Sequence, residues 1–131
     1  MRIMNNNLLG IGTDIIEIER FEKTVKRTPQ VLDKLFTKKE QKYCLSKGKN
    51  KILHFAGRFT AKEAIVKALG TGFGRKISFL DLEIINNHTG QPTVLFSDKL
   101  KKYFPNIEIL LSISHSKTVA VASALACKIS I

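Results

Sequence analysis

Four ionisable residues stand in an otherwise apolar stretch of the chain and are the first candidates for chemistry. Arg58 and Lys62 are four residues apart, and so are Glu63 and Lys67. On a helix such residues are neighbours, and a glutamate placed before a lysine stabilises an exposed helix by about 0.2–0.5 kcal/mol. Because the surrounding residues are so apolar, we also expect partial burial, where charged groups usually pair or hold a ligand. The spacing supports both a structural and a functional interpretation.

Asp14 supplies a second carboxylate and favours the functional interpretation. It follows Gly10 and Gly12, which allow another backbone or a ligand to approach closely. Two carboxylates suit Mg²⁺, which keeps several waters and is commonly held together with substrate phosphates, and adjacent cations would then bind those phosphates. The two glycines are not a dinucleotide-binding fingerprint, since no third glycine opens a helix, and the chain has no P-loop motif.

His115 lies in a predicted turn within the segment Leu-Ser-Ile-Ser-His-Ser at residues 111–116. A single histidine in a turn is more often a surface residue than a ligand. At a hairpin tip among hydroxyl groups, it is also placed to donate to a phosphate or to carry a proton near neutral pH. Both interpretations stay open, because the sequence does not place His115 relative to Glu63.

The charge of the chain is strongly basic and unevenly distributed. Its 131 residues include 22 Lys and Arg against 11 Asp and Glu, which gives a formal net charge of +11. Residues 20–51 hold eleven of the basic residues and three of the acidic ones, so this segment alone carries +8. Such a patch attracts an anionic partner, but charge does not choose among nucleic acid, a membrane surface and an acidic protein.

The length of the chain predicts one domain, residues 1–131, with residues 1–7 as an N-terminal extension. A chain of this size leaves little room for separate cofactor and substrate domains, so we expect a deep cleft to need another subunit. Neither end resembles a targeting segment, and the most apolar stretch, residues 119–127, is shorter than a bilayer span. We therefore expect a cytoplasmic protein. Cys44 and Cys127 lack metal-ligand spacing and are predicted to be core thiols.

The pattern of apolar residues predicts helices in the first half of the chain and mostly strands in the second. A capping box at Thr37 and Glu40 starts one helix, and Gly70 ends the longest one. The predicted strands are residues 8–18, 77–79, 82–85, 93–96, 108–114 and 119–126, and the predicted helices are residues 18–26, 37–45, 52–69 and 97–103. This order favours an α+β domain in which an antiparallel sheet packs on a long central helix.

Three segments of the chain occur in a characteristic order. They read Gly-Ile-Gly-Thr-Asp-Ile at residues 10–15, Gly-Arg-Phe-Thr-Ala-Lys-Glu-Ala-Ile-Val-Lys-Ala-Leu-Gly-Thr-Gly at residues 57–72, and Ser-Ile-Ser-His at residues 112–115. Together with the Gly-Gln-Pro turn at residues 90–92, they resemble the holo-acyl-carrier-protein synthase family of phosphopantetheinyl transferases over about residues 8–125. The chain departs from the commonest pattern in its N-terminal extension, at Thr60 and at Thr28.

The resemblance implies transfer of 4′-phosphopantetheine from coenzyme A to a serine of apo acyl carrier protein, in support of fatty acid biosynthesis. Adenosine 3′,5′-bisphosphate is the implied second product. By motif, Asp14 and Glu63 correspond to Mg²⁺ ligands, and Lys67 balances the diphosphate charge as the P–O bond breaks. The implied coenzyme A-binding residues are Arg58, Lys67, Gly70, Thr71, Gly72 and His115. The general base stays open between Glu63, a metal-bound water and another carboxylate.

The resemblance also implies a homotrimer with active sites between subunits. Because acyl carrier proteins are strongly acidic, we predict that Arg20, Lys23 and Arg27 on the first helix dock the carrier.

Two other classes of protein compete with this interpretation. A small nucleic-acid-binding protein would explain the charge of +11, but aromatic residues are only 8% of the chain, tryptophan is absent, and the basic segment lacks interleaved aromatic side chains. An inactive carrier-binding module would not need Asp14, Glu63 and Lys67 together. We therefore expect an enzyme that binds neither nucleic acid nor membrane.

Overall fold

The structure is a computed structural model that describes residues 7–129 of the chain. The predicted N-terminal extension lies outside the described residues, except for Asn7. The strands of the described part are β1 (Leu8–Glu17), β2 (Leu82–Asn86), β3 (Pro92–Phe96), β4 (Ile107–His115) and β5 (Val119–Lys128). The α-helices are α1 (Ile18–Arg27), α2 (Val31–Leu35), α3 (Lys38–Leu45), α4 (Lys51–Leu69) and α5 (Asp98–Tyr103).

The strands form two antiparallel sheets. One has three strands in the order β1-β5-β4, and the other pairs β2 with β3. The predicted hairpin is confirmed, since β4 and β5 pair from Ile107 and Lys128 to His115 and Ala120. The pairing of β1 with β5 places Asp14 opposite Ala122, on an edge strand of the three-stranded sheet. The predicted α+β class with an antiparallel sheet on a long helix is confirmed, although the strands divide into two sheets.

Small residues let α4 lie close against the three-stranded sheet. Every second residue of β5 from Ala120 to Ala126 is a buried alanine. On β1, a Cβ atom at Gly12 would overlap the carbonyl oxygen of Ala64, and one at Gly10 would overlap that of Ala68. The two glycines therefore allow another backbone to approach, and that backbone is α4.

Helix α4 is buried on most of its circumference because apolar clusters pack on two sides of it. One cluster lies between α4 and the three-stranded sheet and includes Ile65 and Leu111. The other joins α4 to α1 and α3 and includes Phe21 and Phe36. The helix ends at Gly70, which has a φ of 79°. Within residues 7–129, no helix is both long and apolar enough to span a membrane.

The predicted helices agree with the structure to within one or two residues at each end. The capping box is confirmed: the Glu40 N–H donates to the Thr37 hydroxyl at 3.2 Å, and the Thr37 N–H donates to Glu40 Oε1 at 2.9 Å. Thr37 is thus the N-cap of α3.

Three predictions about the fold are wrong or incomplete. Residues 77–79 do not form a strand, because a second capping box between Ser78 and Asp81 starts a short 3₁₀ helix at Phe79–Asp81. Helix α2, which is five residues long and buries none of them fully, was not predicted. Cys44 is buried as predicted, whereas Cys127 is only half-buried, since it points away from the alanine face of β5.

Candidate active site

Asp14 is held between two side chains of α4. The Thr60 hydroxyl donates to its Oδ2 atom at 2.7 Å, and the Lys67 ammonium donates to its Oδ1 atom at 3.0 Å. Lys67 also donates to the carbonyl oxygen of Thr13 at 3.1 Å. The side chain of Lys67 is 52% exposed and that of Asp14 is 16% exposed. The carboxylate is therefore fixed in orientation at the edge of solvent.

Glu63 lies on the same face of α4, between Thr60 and Lys67 in the sequence. Burial raises the pKa of its carboxyl above the usual value, and the charge of Asp14 raises this pKa further, while Lys67 partly offsets both effects. The two carboxylates are thus close enough to repel each other. Such an arrangement is costly unless a cation is added, which is typical of functional sites.

The donor set fits a magnesium ion. Asp14 and Glu63 offer carboxylate oxygens from β1 and α4, and both are partly accessible. In the described part of the chain, no group of three His, Cys, Asp or Glu side chains could hold a metal by itself. Mg²⁺ does not require such a cage, because it retains water and takes oxygens from a phosphate substrate.

The close approach of β1 to α4 creates this group of residues. Gly12 stands two residues before Asp14 on the same strand, and a Cβ at Gly12 would come within 2.9 Å of the Lys67 Cβ. Any larger residue at Gly12 would push the strand away from the helix and lengthen the contact between Asp14 and Lys67.

The remaining charged residues of α4 differ from the prediction of two neighbouring pairs along the helix. Lys62 is fully buried, and its ammonium donates to Glu40 Oε1 at 2.7 Å and to the carbonyl oxygens of Leu35 at 2.8 Å and Phe79 at 3.0 Å. Lys67 pairs with Asp14, and no ion pair of residues 7–129 joins it to Glu63. The expectation of burial is confirmed for Arg58 and Lys62, which are 4% and 0% exposed.

Arg58 and His115 line one small cleft, with a volume of about 190 Å³. The Arg58 guanidinium donates to Asn86 Oδ1 at 3.0 Å and lies 4.1 Å from the centre of the Tyr43 ring. Arg58 is nine positions before Lys67, about two and a half helical turns, so the two side chains leave α4 on opposite faces. Within one chain, the structure brings Arg58 and His115 together but separates them from Asp14 and Glu63.

Three residues at these sites were not predicted from the sequence. Thr60 appeared only as a departure from a family pattern, yet it donates to Asp14. Tyr43 and Asn86 hold Arg58 in the cleft, and they come from α3 and β2, far away in the sequence. A contact between such distant side chains leaves no local signal in one sequence.

Gly70, Thr71 and Gly72 form the exposed turn that follows α4, beyond Lys67. Gly70 and Gly72 have φ values of 79° and 65°, a backbone conformation that favours glycine. The Thr71 N–H donates to the carbonyl oxygen of Val66 at 3.2 Å. The turn is therefore folded back on the end of the helix that carries Lys67.

Arg20, Lys23 and Arg27 are exposed on α1, with Lys23 3.5 Å from Glu19 in an exposed ion pair. An apolar groove with a volume of about 770 Å³ lies beside Arg20, and Phe21 and Phe59 line it. The predicted basic face is thus next to an apolar surface.

Comparisons with known proteins identify the family. The sequence model of the 4′-phosphopantetheinyl transferase superfamily matches residues 10–123. A holo-[acyl-carrier-protein] synthase of Protochlamydia amoebophila (strain UWE25) is 52% identical over 118 residues, which cover 89% of this chain and 96% of the relative.

Solved structures agree with the sequence relatives. A holo-(acyl-carrier-protein) synthase from Bacillus anthracis str. Ames, in complex with CoA (3′,5′-ADP), has a TM-score of 0.81 and 38% identity, covering 93% of this chain and 98% of that chain. A Helicobacter pylori holo-[acyl-carrier-protein] synthase in complex with coenzyme A has a TM-score of 0.78 and 37% identity, covering 88% and 98%. The chain therefore belongs to the 4′-phosphopantetheinyl transferase superfamily, which confirms the family and the enzyme class predicted from its motifs.

Proposed function

We propose that this protein transfers the 4′-phosphopantetheine group from coenzyme A to a serine hydroxyl of an apo acyl carrier protein in the cytoplasm. The products are the holo carrier and adenosine 3′,5′-bisphosphate, and the reaction supplies carriers for fatty acid biosynthesis. The observation that carries this proposal is the convergence of Asp14, Glu63 and Lys67 at the contact between β1 and α4. The names of the relatives and the coenzyme A in two similar structures support it.

The residues of the site have distinct roles in the proposed reaction. Asp14 and Glu63 would hold Mg²⁺, which when bound polarises the diphosphate and offsets its charge. Thr60 keeps Asp14 in one orientation through its hydroxyl. The serine hydroxyl of the carrier gives its proton to the general base, and its oxygen forms a new P–O bond to the phosphorus that bears pantetheine. The bond from that phosphorus to the bridging oxygen breaks. Lys67 stabilises the negative charge that develops on the departing phosphate.

The second set of residues is proposed to bind the rest of coenzyme A. Arg58 and His115 contact its phosphates, and the turn of Gly70, Thr71 and Gly72 borders its adenosine part. Backbone N–H groups in a turn with left-handed glycines can approach a ligand closely, since no Cβ intervenes.

We further propose that the protein is a homotrimer whose active sites lie between subunits. Within one chain the Asp14 site and the Arg58 cleft lie on opposite faces of α4, so a neighbouring subunit must bring the two together around one coenzyme. The outer face of the three-stranded sheet supports this assembly: Ile11 is 71% exposed and pairs across the sheet with Leu125, which pairs with Leu110. Covering such apolar surface favours association.

The carrier protein is proposed to dock on α1. Arg20, Lys23 and Arg27 would attract its acidic surface, and the groove next to Arg20 offers apolar surface for close contact.

The intact mass of an apo acyl carrier protein tests the proposed reaction. After incubation with this protein, coenzyme A and Mg²⁺, we expect the carrier to gain one phosphopantetheine, and EDTA to prevent the gain. Asp14→Ala should give none, while it keeps the assembly of the wild type. An unmodified carrier with the intact wild-type assembly would favour an inactive binding module.

Mixing two inactive variants tests the shared sites. Asp14→Ala and Arg58→Ala subunits should each lack activity alone. Hybrids formed by dissociation and reassociation should recover part of the activity, because some interfaces then join a subunit with a native Asp14 to a subunit with a native Arg58. No recovery in verified hybrids would argue that each chain holds a complete site.

A charge reversal on α1 tests carrier docking. Arg20→Glu should raise the KM for the carrier much more than the KM for coenzyme A. Lys102→Glu, an equal charge change at an exposed position on α5, is the matched control and should leave both constants near the wild-type values. Equal effects of Arg20→Glu on both constants would contradict docking at this surface.

A further inference from the structure

The Arg58 cleft is surrounded by positive and titratable groups and has no carboxylate in its lining. Arg58 and His54 reach it from α4, and His115 reaches it from the end of β4. The Lys47 ammonium lies next to it, 4.7 Å from the centre of the Tyr43 ring. A cleft of about 190 Å³ with this charge is large enough for one phosphate group and favours a multiply charged anion.

Arg58 is fixed in the cleft and still has donor capacity. Its guanidinium donates to Asn86 and stacks on Tyr43, whose hydroxyl accepts a hydrogen bond from Asn86 Nδ2 at 3.3 Å. Throughout residues 7–129, its Nε atom is the one buried side-chain nitrogen or oxygen that lacks a hydrogen-bond partner. Since Arg58 is only 4% exposed, this unused donor is costly unless an anion accepts from it.

His54 is one of two histidines that line this cleft. It lies one turn before Arg58 on α4, half-buried, with its ring edge against Tyr43 at 5.7 Å between ring centres. Burial lowers its pKa below 6.5, and the charges of Lys47, Arg58 and His115 lower this pKa further. The nearby Cys44 thiol, whose pKa burial raises to about 11, stays uncharged. His54 is therefore neutral near pH 7 when the cleft contains no anion.

We propose that His54 recognises the 3′-phosphate of coenzyme A by taking up a proton when this dianion enters the cleft beside Arg58. This inference rests on the proposed function. The diphosphate is directed to Asp14, Glu63 and Lys67, so the terminal monoester is the phosphate left for an enclosed cleft of this size. Its two negative charges offset those of Lys47 and Arg58, so the protonated imidazole of His54 becomes a second donor to the anion. A coenzyme without the 3′-phosphate leaves His54 neutral.

Titration calorimetry tests this directly with adenosine 3′,5′-bisphosphate and adenosine 5′-monophosphate as probes. At pH 8 in buffers of different ionisation enthalpy, the wild type should take up protons with the bisphosphate and not with the monophosphate. His54→Asn should lose this proton uptake, and its preference for the bisphosphate over the monophosphate should be roughly tenfold lower or more, as expected for one hydrogen bond to a charged group. His88→Asn, the same change in an exposed turn, is the control.

The pH dependence of substrate choice gives a second readout. The ratio of kcat/KM for coenzyme A to that for dephospho-coenzyme A cancels effects on the shared chemistry. In the wild type this ratio should fall as the pH rises through the pKa that His54 has when the 3′-phosphate is bound. In His54→Asn the ratio should be lower and should depend less on pH.

The outcomes separate this inference from the proposed function. If the wild type modifies a carrier protein and His54→Asn keeps both the proton uptake and the preference for the bisphosphate, the role of His54 is overturned while the function stands. If the carrier is never modified but the bisphosphate binds with His54-dependent uptake, the function fails and the cleft remains a phosphate site.

Discussion

Two lysines on α4, five residues apart, form ion pairs with opposite character. Lys62 pairs with Glu40 where both side chains are 0% exposed, and its ammonium has two further backbone acceptors. Lys67 pairs with Asp14 where the side chains are 52% and 16% exposed. A buried pair with every donor used can only hold the fold together, whereas a pair open to solvent can exchange its partner for a substrate. Burial thus separates structural from chemical roles on one helix.

The largest effect is expected from removal of the buried lysine. Lys62→Ala leaves the Glu40 carboxylate unpaired in the core, so the free energy of unfolding in urea should fall by about 3–5 kcal/mol. Lys67→Ala, the exposed counterpart, should cost less than about 1 kcal/mol. Similar losses in the two variants would mean that burial does not distinguish the roles of the two lysines.

A double-mutant cycle sharpens this expectation. Glu40→Gln removes the charge that Lys62→Ala leaves unpaired, so the double variant should be less destabilised than the sum of the single variants. Strict additivity would mean that the two side chains do not interact in the folded protein.

The next effect concerns activity and belongs to the exposed pair. Lys67→Met should lower kcat by about 10²–10³-fold, as expected when one donor to a developing oxyanion is lost. Its stability in urea should stay within about 1 kcal/mol of the wild type. Turnover is measured from the mass of the carrier over time. Turnover near the wild-type rate would remove Lys67 from the proposed chemistry.

A smaller effect is expected at the glycine that brings Asp14 to Lys67. Gly12→Ala places a Cβ against the Ala64 carbonyl oxygen, so stability should fall by about 1–3 kcal/mol and activity should decrease as β1 moves from α4. Gly74→Ala is the control, because a Cβ there meets no atom within 4 Å, and its stability should stay within about 0.5 kcal/mol of the wild type. A tolerated Gly12→Ala would show that α4 can shift without loss.

The smallest effect is expected from Asp81, which anchors the turn that carries the Phe79 carbonyl to Lys62. Burial by itself would raise the pKa of Asp81, but hydrogen bonds from the Ser78 N–H, Ser97 and Lys99 bring the pKa below 3.8. At a pH between the lowered pKa of Asp81 in the folded protein and its ordinary pKa of 3.8 in the unfolded chain, the unfolded chain binds more protons than the folded protein. The stabilisation therefore exists at neutral pH and is lost as the pH falls through the lowered pKa.

The variant Asp81→Asn tests that stabilisation. It should be about 1 kcal/mol less stable than the wild type at pH 7, which is the usual cost of losing a cap, and the difference should shrink below pH 3.8. Urea unfolding measured at several pH values shows the trend. A difference that does not change with pH would mean that the charge of Asp81 is unimportant for the turn.

Local patterns predicted most of the helices because they rest on neighbouring residues. The Thr37 and Glu40 capping box correctly started α3, since both hydrogen bonds lie within four residues. At residues 77–79, alternation of apolar residues indicated a strand, whereas the capping box between Ser78 and Asp81 starts a 3₁₀ helix. The prediction therefore failed where two local signals, apolar alternation and a capping box, indicated different structures for the same residues.

The family, the candidate carboxylates Asp14 and Glu63, and the helix face shared by Glu63 and Lys67 could be inferred from the sequence, because they depend on residue types and short spacings. Three sets of contacts are seen only in the folded protein: Lys62 with Glu40, Lys67 and Thr60 with Asp14, and Tyr43 and Asn86 with Arg58. These contacts join segments from different parts of the chain. Whether a charged side chain is buried or exposed depends on what packs over it, and no local pattern records that.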